Sequence, residues 1–444
     1  MRRMGRLLSG GLAAGMLLAA LSGCTVGVPK KKPQVHLVFK VPTLAMSCVV
    51  DRSVKEAYEV FEKATADFTA QYTKADVTFD LVKFDLAEEN TYISECFDTE
   101  QAADILYEDY FNMSTYVHTG RVVPLDDAVS DAVRADIDDS YWKMSKVEGR
   151  TYMMPYLARQ NVLGYHRSML RAAGLAQYVS DDDSTIQSWT LAQWDEILSA
   201  LHANLPQSSF ALAMYAGNEQ GDTHTMPWLR SHGSSFFDAE GNVSLETPEG
   251  IAALQWLKDN YDKGYYPPAC ENMTIRDCGK LFWNNQLAIK MVNGPSDDAN
   301  DPDVGLVNFP SADGAGYATT FVTGFEIFDN GDAAKVEAAK DFLRYFYGSE
   351  LYMDYSAGNI PVSNRVAQKY ESRIGRLEAF RSNSGHVVDF MNNSPNWRGV
   401  RAVFYRDMQE LFLGTKTPEQ TAQELDADCN TAIAEGRAES RLHP

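Results

Sequence analysis

The stretch DILYEDYFNMSTYVHTGRVVPLDD, residues 104–127, frames the whole chain. Asp104 to Tyr107 has the length and apolar content of a short buried strand. Glu108, Asp109 and Tyr110 follow at its carboxyl end, where α/β sheets present their ligand-binding loops. The alternative for these three is a solvated acidic turn.

Similar strand patterns occur on both sides of this segment. Val35, Leu37, Phe39 and Val41 alternate with other residues, and Val77 to Phe84, Val162 to Tyr165 and Leu287 to Val292 are further candidates. Helical patterns lie between them. Ser53 with Glu56 reads as a capping box ahead of a face made by Val54, Ala57, Tyr58, Phe61, Thr65 and Phe68. Thr190 with Gln193 precedes Trp194, Ile197, Leu198 and Leu201 in the same way. Thr247-Pro248-Glu249 and Thr417-Pro418-Glu419 each supply a cap, a proline at the first helical position and an acid at the positive end. Gly264, Gly348 and Gly414 each close a helical run. The β-α alternation predicts an α/β fold with mostly parallel sheets covered by helices. At 444 residues the chain is too long for one ordinary core, so two domains are expected.

The charge excludes one class of partner. There are 40 basic and 61 acidic residues, for a formal charge of −21. Nucleic acids select basic surfaces, so none is expected here. Six cysteines are present, at 24, 48, 96, 270, 278 and 429. Cys270 and Cys278 are near enough in sequence to close a small loop, but the set is not a disulfide framework. Neither the cysteines nor the eight histidines show metal-ligand spacing, and no cofactor is implied.

The amino terminus reads as an export signal. Arg2, Arg3 and Arg6 precede an uncharged run from Leu7 to Leu21, too short and glycine-broken for a membrane span. The run ends in Leu21-Ser22-Gly23-Cys24, which resembles the lipobox of bacterial lipoproteins. That resemblance implies a signal peptide over 1–23, a diacylglyceryl group on Cys24 and a linker over 24–33. Lys30-Lys31-Lys32 would then lie near anionic headgroups or simply be solvated. Cleavage removes three arginines and no acid, leaving 37 basic against 61 acidic residues and a charge of −24.

Further strings occur in a fixed order. Gly120-Arg121-Val122-Val123-Pro124-Leu125-Asp126-Asp127 is followed by Gly149-Arg150-Thr151-Tyr152-Met153-Met154-Pro155 and Leu163-Gly164-Tyr165-His166. Ser188-Trp189-Thr190, Phe236-Phe237-Asp238, Met291-Val292-Asn293-Gly294-Pro295 and Gly358-Asn359-Ile360-Pro361-Val362 come later. In this order they resemble extracellular solute-binding protein family 1, the family of sugar receptors of ATP-binding-cassette (ABC) importers. The resemblance implies a two-lobed periplasmic-binding-protein-like fold with a ligand cleft between the lobes. It places residues 34–155 and 311–360 in a first lobe and 156–310 and 361–444 in a second. It implies a monomer that captures a small molecule, a mono- or oligosaccharide by preference, and meets the transmembrane subunits of an importer.

Sugar recognition needs flat aromatic faces and planar polar groups. By the resemblance, Asp109 and Tyr110 supply first-lobe contacts. Arg159, in the first hinge crossing, offers a polar group to the ligand or pairs with a carboxylate. Tyr215 sits in a loop resembling a source of second-lobe contacts, and Trp228 follows where cleft and core placements both fit. Asn293 lies in a turn that carries a following tryptophan platform in the maltose-binding protein, whereas Ser296 stands here. Trp397 and Arg398, after Ser394-Pro395, are the candidates to replace it, so Trp397→Ala is expected to weaken binding and spare the fold. Trp189, Trp194, Trp256 and Trp283 fall in core patterns. Two other readings remain: the same fold with a polyamine, metal ion or phosphorylated polyol, and a secreted carbohydrate-active enzyme. No nucleophile, phosphate-loop or metal motif supports the enzyme.

Overall fold

A computed structural model describes residues 32–85, 89–295, 297–389, 391 and 393–442. The expected signal peptide, the lipidation site Cys24 and Ser296 lie outside the described residues. Among the described residues no helix is long and apolar enough to cross a membrane.

One mixed sheet runs through the molecule in the order Asp76–Phe84, Gln34–Pro42, Ile105–Asp109, Ala318–Ile327, Met154–His166, Leu287–Asn293, Phe210–Leu212. On one side Gln34–Pro42 pairs in parallel with both Asp76–Phe84 and Ile105–Asp109. On the other, Phe210–Leu212 and Leu287–Asn293 are parallel. Two long antiparallel strands join these halves. Ala318–Ile327 pairs with Ile105–Asp109 and with the first part of Met154–His166. The later part of Met154–His166 pairs with Leu287–Asn293. These two strands are the connection between the two halves of the sheet. A bulge interrupts their register between Thr323 and Gly324. Glycine is required at Gly324, because a Cβ there would lie 2.3 Å from the Met154 carbonyl oxygen.

Each half has its own aromatic cluster within one continuous core. The first is rich in phenylalanine: Phe325 on the sheet meets Phe61 of helix Ala57–Gln71 and Phe346 of helix Ala333–Gly348 edge-on, each at 5.1 Å. The second is built on tryptophan. Trp228 lies 5.2 Å from Trp194, 5.3 Å from Trp256 and 5.5 Å from Phe309. Helices Trp397–Leu413 and Pro418–Ala438 pack on each other and on Pro248–Asp262. Just beyond residue 360, Ser363 and Arg365 still bond Asp136 of the first half, and Arg373 reaches the Val49 carbonyl.

Several local expectations shift. The strand at Asp104–Tyr107 runs over Ile105–Asp109, so Asp109 belongs to the strand and not to the loop. The first helix starts at Ala57 with a Glu56/Glu59 capping box, while Ser53 bonds Asp51 instead. The Thr190/Gln193 box and the two Thr-Pro starts form as expected. Gly264 and Gly414 adopt left-handed φ of 74° and 73°. Gly348 instead stays helical, because Ser349 both ends that helix and caps the next, Glu350–Asp354. Trp283 is 54 % exposed at a helix end and not in the core. Cys48, Cys96, Cys270, Cys278 and Cys429 are all buried and unbridged.

Candidate ligand-binding cleft

A cavity of about 850 Å³ lies over these connecting strands. Its floor comes from side chains on one face of the sheet. Successive strand residues alternate faces, so Arg159 and Asn161 project together, as do Phe321 and Thr323. The register sets Phe321 opposite Arg159, Thr323 opposite Asp109 and Asn293 opposite Asn161. Asp109, Arg159, Asn161, Asn293 and Phe321 all line the cavity. Phe111 joins them with its ring 4.9 Å from that of Phe321, giving an apolar patch beside the polar row.

Asp109 is buried and accepts a hydrogen bond from the Thr323 hydroxyl. Burial pushes its carboxyl above the usual range, opposed by the charges of Arg159 and Arg401 and by the Thr323 bond. Asn161 donates to Thr319 Oγ1 at 3.1 Å, while its buried Oδ1 has no hydrogen-bond partner among the described residues. A buried unpaired acceptor is costly, and a ligand hydroxyl entering the cavity would satisfy it. The Arg159 guanidinium makes no hydrogen bond or ion pair within the described residues, although its charge is felt by Asp109.

The opposite wall is helical. Arg398, Arg401 and Tyr405 recur at i, i+3 and i+7 of Trp397–Leu413 and face the cavity. Trp397, Val400, Phe404, Met408 and Leu411 form the buried stripe behind them. Arg398 reaches Thr91 of the first half at 3.4 Å. Arg401 Nε pairs with Asp222 Oδ2 at 2.9 Å, and its guanidinium lies 5.3 Å from the Phe111 ring centre. Asp222 is fully buried. Burial raises its carboxyl, while Arg401, the Thr223 N–H and the adjacent Trp397 side chain favour the charged form. Residues 217–220 and Thr223 complete this wall, with Thr274, Ile275 and Arg276 at the start of helix Ile275–Trp283. Gly217 is needed there: a Cβ would lie 2.5 Å from the Met273 carbonyl oxygen, which accepts the Gly217 N–H at 2.8 Å.

Four expected contacts are elsewhere. Tyr110, one residue past Asp109, faces away and is fully buried, donating from its hydroxyl to Asp389 at 2.9 Å. Tyr215 is buried and stacks on His224 at 4.6 Å. Trp228 is the centre of the tryptophan core. Trp397 is fully buried, 6.3 Å from the Phe237 ring, so it cannot be the exposed platform that replaces the missing tryptophan. Asp109, Arg159, Asn293 and Arg398 do reach the cavity. Phe111, Asn161, Phe321, Arg401 and Tyr405 were missed, although the i, i+3, i+7 spacing of the last helix marks two of them.

A second concavity of about 670 Å³ is bordered by Asp183 and Arg376. There Arg376 and Arg167 already pair with Asp183 at 3.0 and 2.5 Å, which leaves little unmet demand for a ligand.

A cleft floored by the connecting strands and walled from both halves defines a two-lobed solute-binding protein. The chain belongs to the bacterial extracellular solute-binding protein family, whose pattern it matches over residues 52–353. It is 20% identical, over 84% of its length and 89% of the relative's, to a Brucella abortus protein named only as a binding protein. A chitin oligosaccharide binding protein shares the fold with a TM-score of 0.72 at 17% identity, covering 90% of this chain and 99% of the other. The sugar-binding protein MalE from Xanthomonas citri gives 0.70 at 16% identity, covering 91% and 98%. Family and fold are those of extracytoplasmic binding proteins.

Proposed function

We propose that this chain is a lipid-anchored receptor, held at the outer face of the cell membrane through Cys24, that captures a mono- or oligosaccharide and passes it as a monomer to an ABC importer. The observation that carries the saccharide reading is the pairing of planar polar groups with an apolar patch in one cavity. Arg159, Asn161, Asn293 and Asp109 can bond ring hydroxyls, while Phe111, Phe321 and Tyr405 can meet C–H faces. Four arginines in the lining disfavour a polyamine or metal ion. Among the described residues the lining holds two acids, Asp109 and Glu219, and Asp109 is buried and held by Thr323, so binding without turnover is expected.

A thermal-shift and calorimetry screen over saccharides, polyamines and divalent metals tests this, since a ligand specific to the folded state raises its stability by mass action. Stoichiometric saccharide binding without products supports the reading. Binding confined to polyamines or metals, or release of cleaved sugar, would overturn it.

A further inference from the structure

The cavity lining holds Arg159, Arg276, Arg398 and Arg401 against two acids, Asp109 and Glu219, and no lysine. A chain of formal charge −21 would not place four arginines around one cavity through composition alone. Counting the buried Asp222 behind Arg401, the cleft still carries an excess of positive charge.

The positions of the arginines run against helix electrostatics. Arg276 and Arg398 are each the second residue of a helix, beginning at Ile275 and Trp397. A positive charge in a first turn opposes the helix dipole, where acids are favoured. Trp397–Leu413 has no acid in its first turn. A local conflict of this kind is retained where function uses it. The positive end of Trp397–Leu413, which no acid offsets, and the start of Ile275–Trp283, whose first turn carries Asp277, border one cavity with their arginines. Moreover, the Arg159 and Arg276 guanidinium groups make no hydrogen bond or ion pair among the described residues. Guanidinium offers a planar fork that matches carboxylate, phosphate and sulfate oxygens in pairs.

We infer that the ligand is an acidic saccharide whose oxyanion group is held between Arg159 on the strand floor and the arginines of the helical wall. This rests on the saccharide reading above. The neutral part of the ring would lie against Phe111 and Phe321, and the oxyanion would meet the guanidinium forks.

The test is calorimetry on the full-length protein with matched pairs: oligogalacturonate, glucose 6-phosphate and sulfated N-acetylglucosamine, each beside its uncharged parent. One acidic member is expected to bind at least about tenfold more tightly than its parent and to weaken as salt rises. Which member it is distinguishes carboxylate, phosphate and sulfate. Arg159→Met and, separately, the solvent-exposed Arg276→Met should shrink that ratio without lowering the melting temperature. Arg159→Lys should restore part of it, since charge returns without the fork. Equal or tighter binding of the neutral parents overturns the inference and leaves the saccharide reading standing. If no saccharide of either kind binds, both readings fall.

Discussion

The two walls of the cleft carry similar side chains on different backbones. On the strand side, Asp109, Arg159 and Phe321 stand on residues paired to one neighbouring strand, and Asn161 on a residue paired to both. On the helix side, Arg398, Arg401 and Tyr405 ride on one face of Trp397–Leu413, whose other face is packed into the core of the second half. The strand wall is thus positioned by main-chain hydrogen bonds. The helix wall is positioned by what lies behind it: a stripe of apolar side chains and one buried ion pair. Substitutions behind the helix should therefore disturb stability first and the site second, whereas substitutions on the cleft faces should do the reverse.

The largest effect should come from Trp397→Ala. The side chain is fully buried beside Phe237 and Asp222. Truncating such a residue costs about 3–5 kcal/mol through lost transfer energy and the cavity left behind. Denaturant unfolding of the ligand-free protein should show this loss. A stability within about 1 kcal/mol of the parent, together with weakened binding, would return Trp397 to the ligand and break the distinction between the faces.

Asp222→Asn probes the ion pair, with a somewhat smaller expected effect. Removing one member of a buried pair leaves the other uncompensated, at a cost of about 3 kcal/mol. Here the partner, Arg401, borders the cavity and can turn toward water, which lowers that cost. Unfolding measurements should show a loss of about 2 kcal/mol, and affinity should fall because Arg401 is no longer held. Unchanged stability and affinity would mean that the helix face is positioned without the pair.

The same contrast explains what was legible in the amino-acid pattern. Alternation and caps exposed Gln34–Pro42, Asp76–Phe84, Leu287–Asn293 and the capped helices, because strands and helix ends are set by local chemistry, but not the central strand Ala318–Ile327 or the first part of Met154–His166. The cleft depended on which way each side chain points, and that is sensitive to a single residue. Extending the strand by two residues put Asp109 on the cleft face and Tyr110 on the other. One step along a helix separates the buried Trp397 from the cleft-facing Arg398. Trp228 and Trp397 drew attention as sugar contacts, yet the core of the second half consumed both, Trp228 beside Trp194 and Trp256, which the pattern had already placed in the core. The aromatic lining is instead Phe111, Phe321 and Tyr405, which belong to segments distant in sequence and meet only through the sheet and the last helix.

The adjacent residues Phe404 and Tyr405 sharpen the comparison at the finest scale. They share a backbone, a helix and aromatic character. Phe404 is fully buried and packs 6.2 Å from Phe236, while Tyr405 is half-buried at the cavity with Arg406 beside its ring. Helix propensity changes little on going from either to alanine, so it cannot separate them. Burial can. Tyr405→Ala removes a ring that water already reaches on one side and leaves no internal cavity. Its effect on ligand-free stability should stay within about 0.5 kcal/mol, and affinity for the bound saccharide should fall several-fold through loss of an apolar contact in the cleft. Phe404→Ala, by contrast, should cost about 3 kcal/mol or more before any ligand is added. Measuring both variants by unfolding and calorimetry separates the faces directly. If Tyr405→Ala destabilised the free protein as much as Phe404→Ala, the helix would have no cleft face there, and the wall would have to be drawn from Arg398 and Arg401 alone.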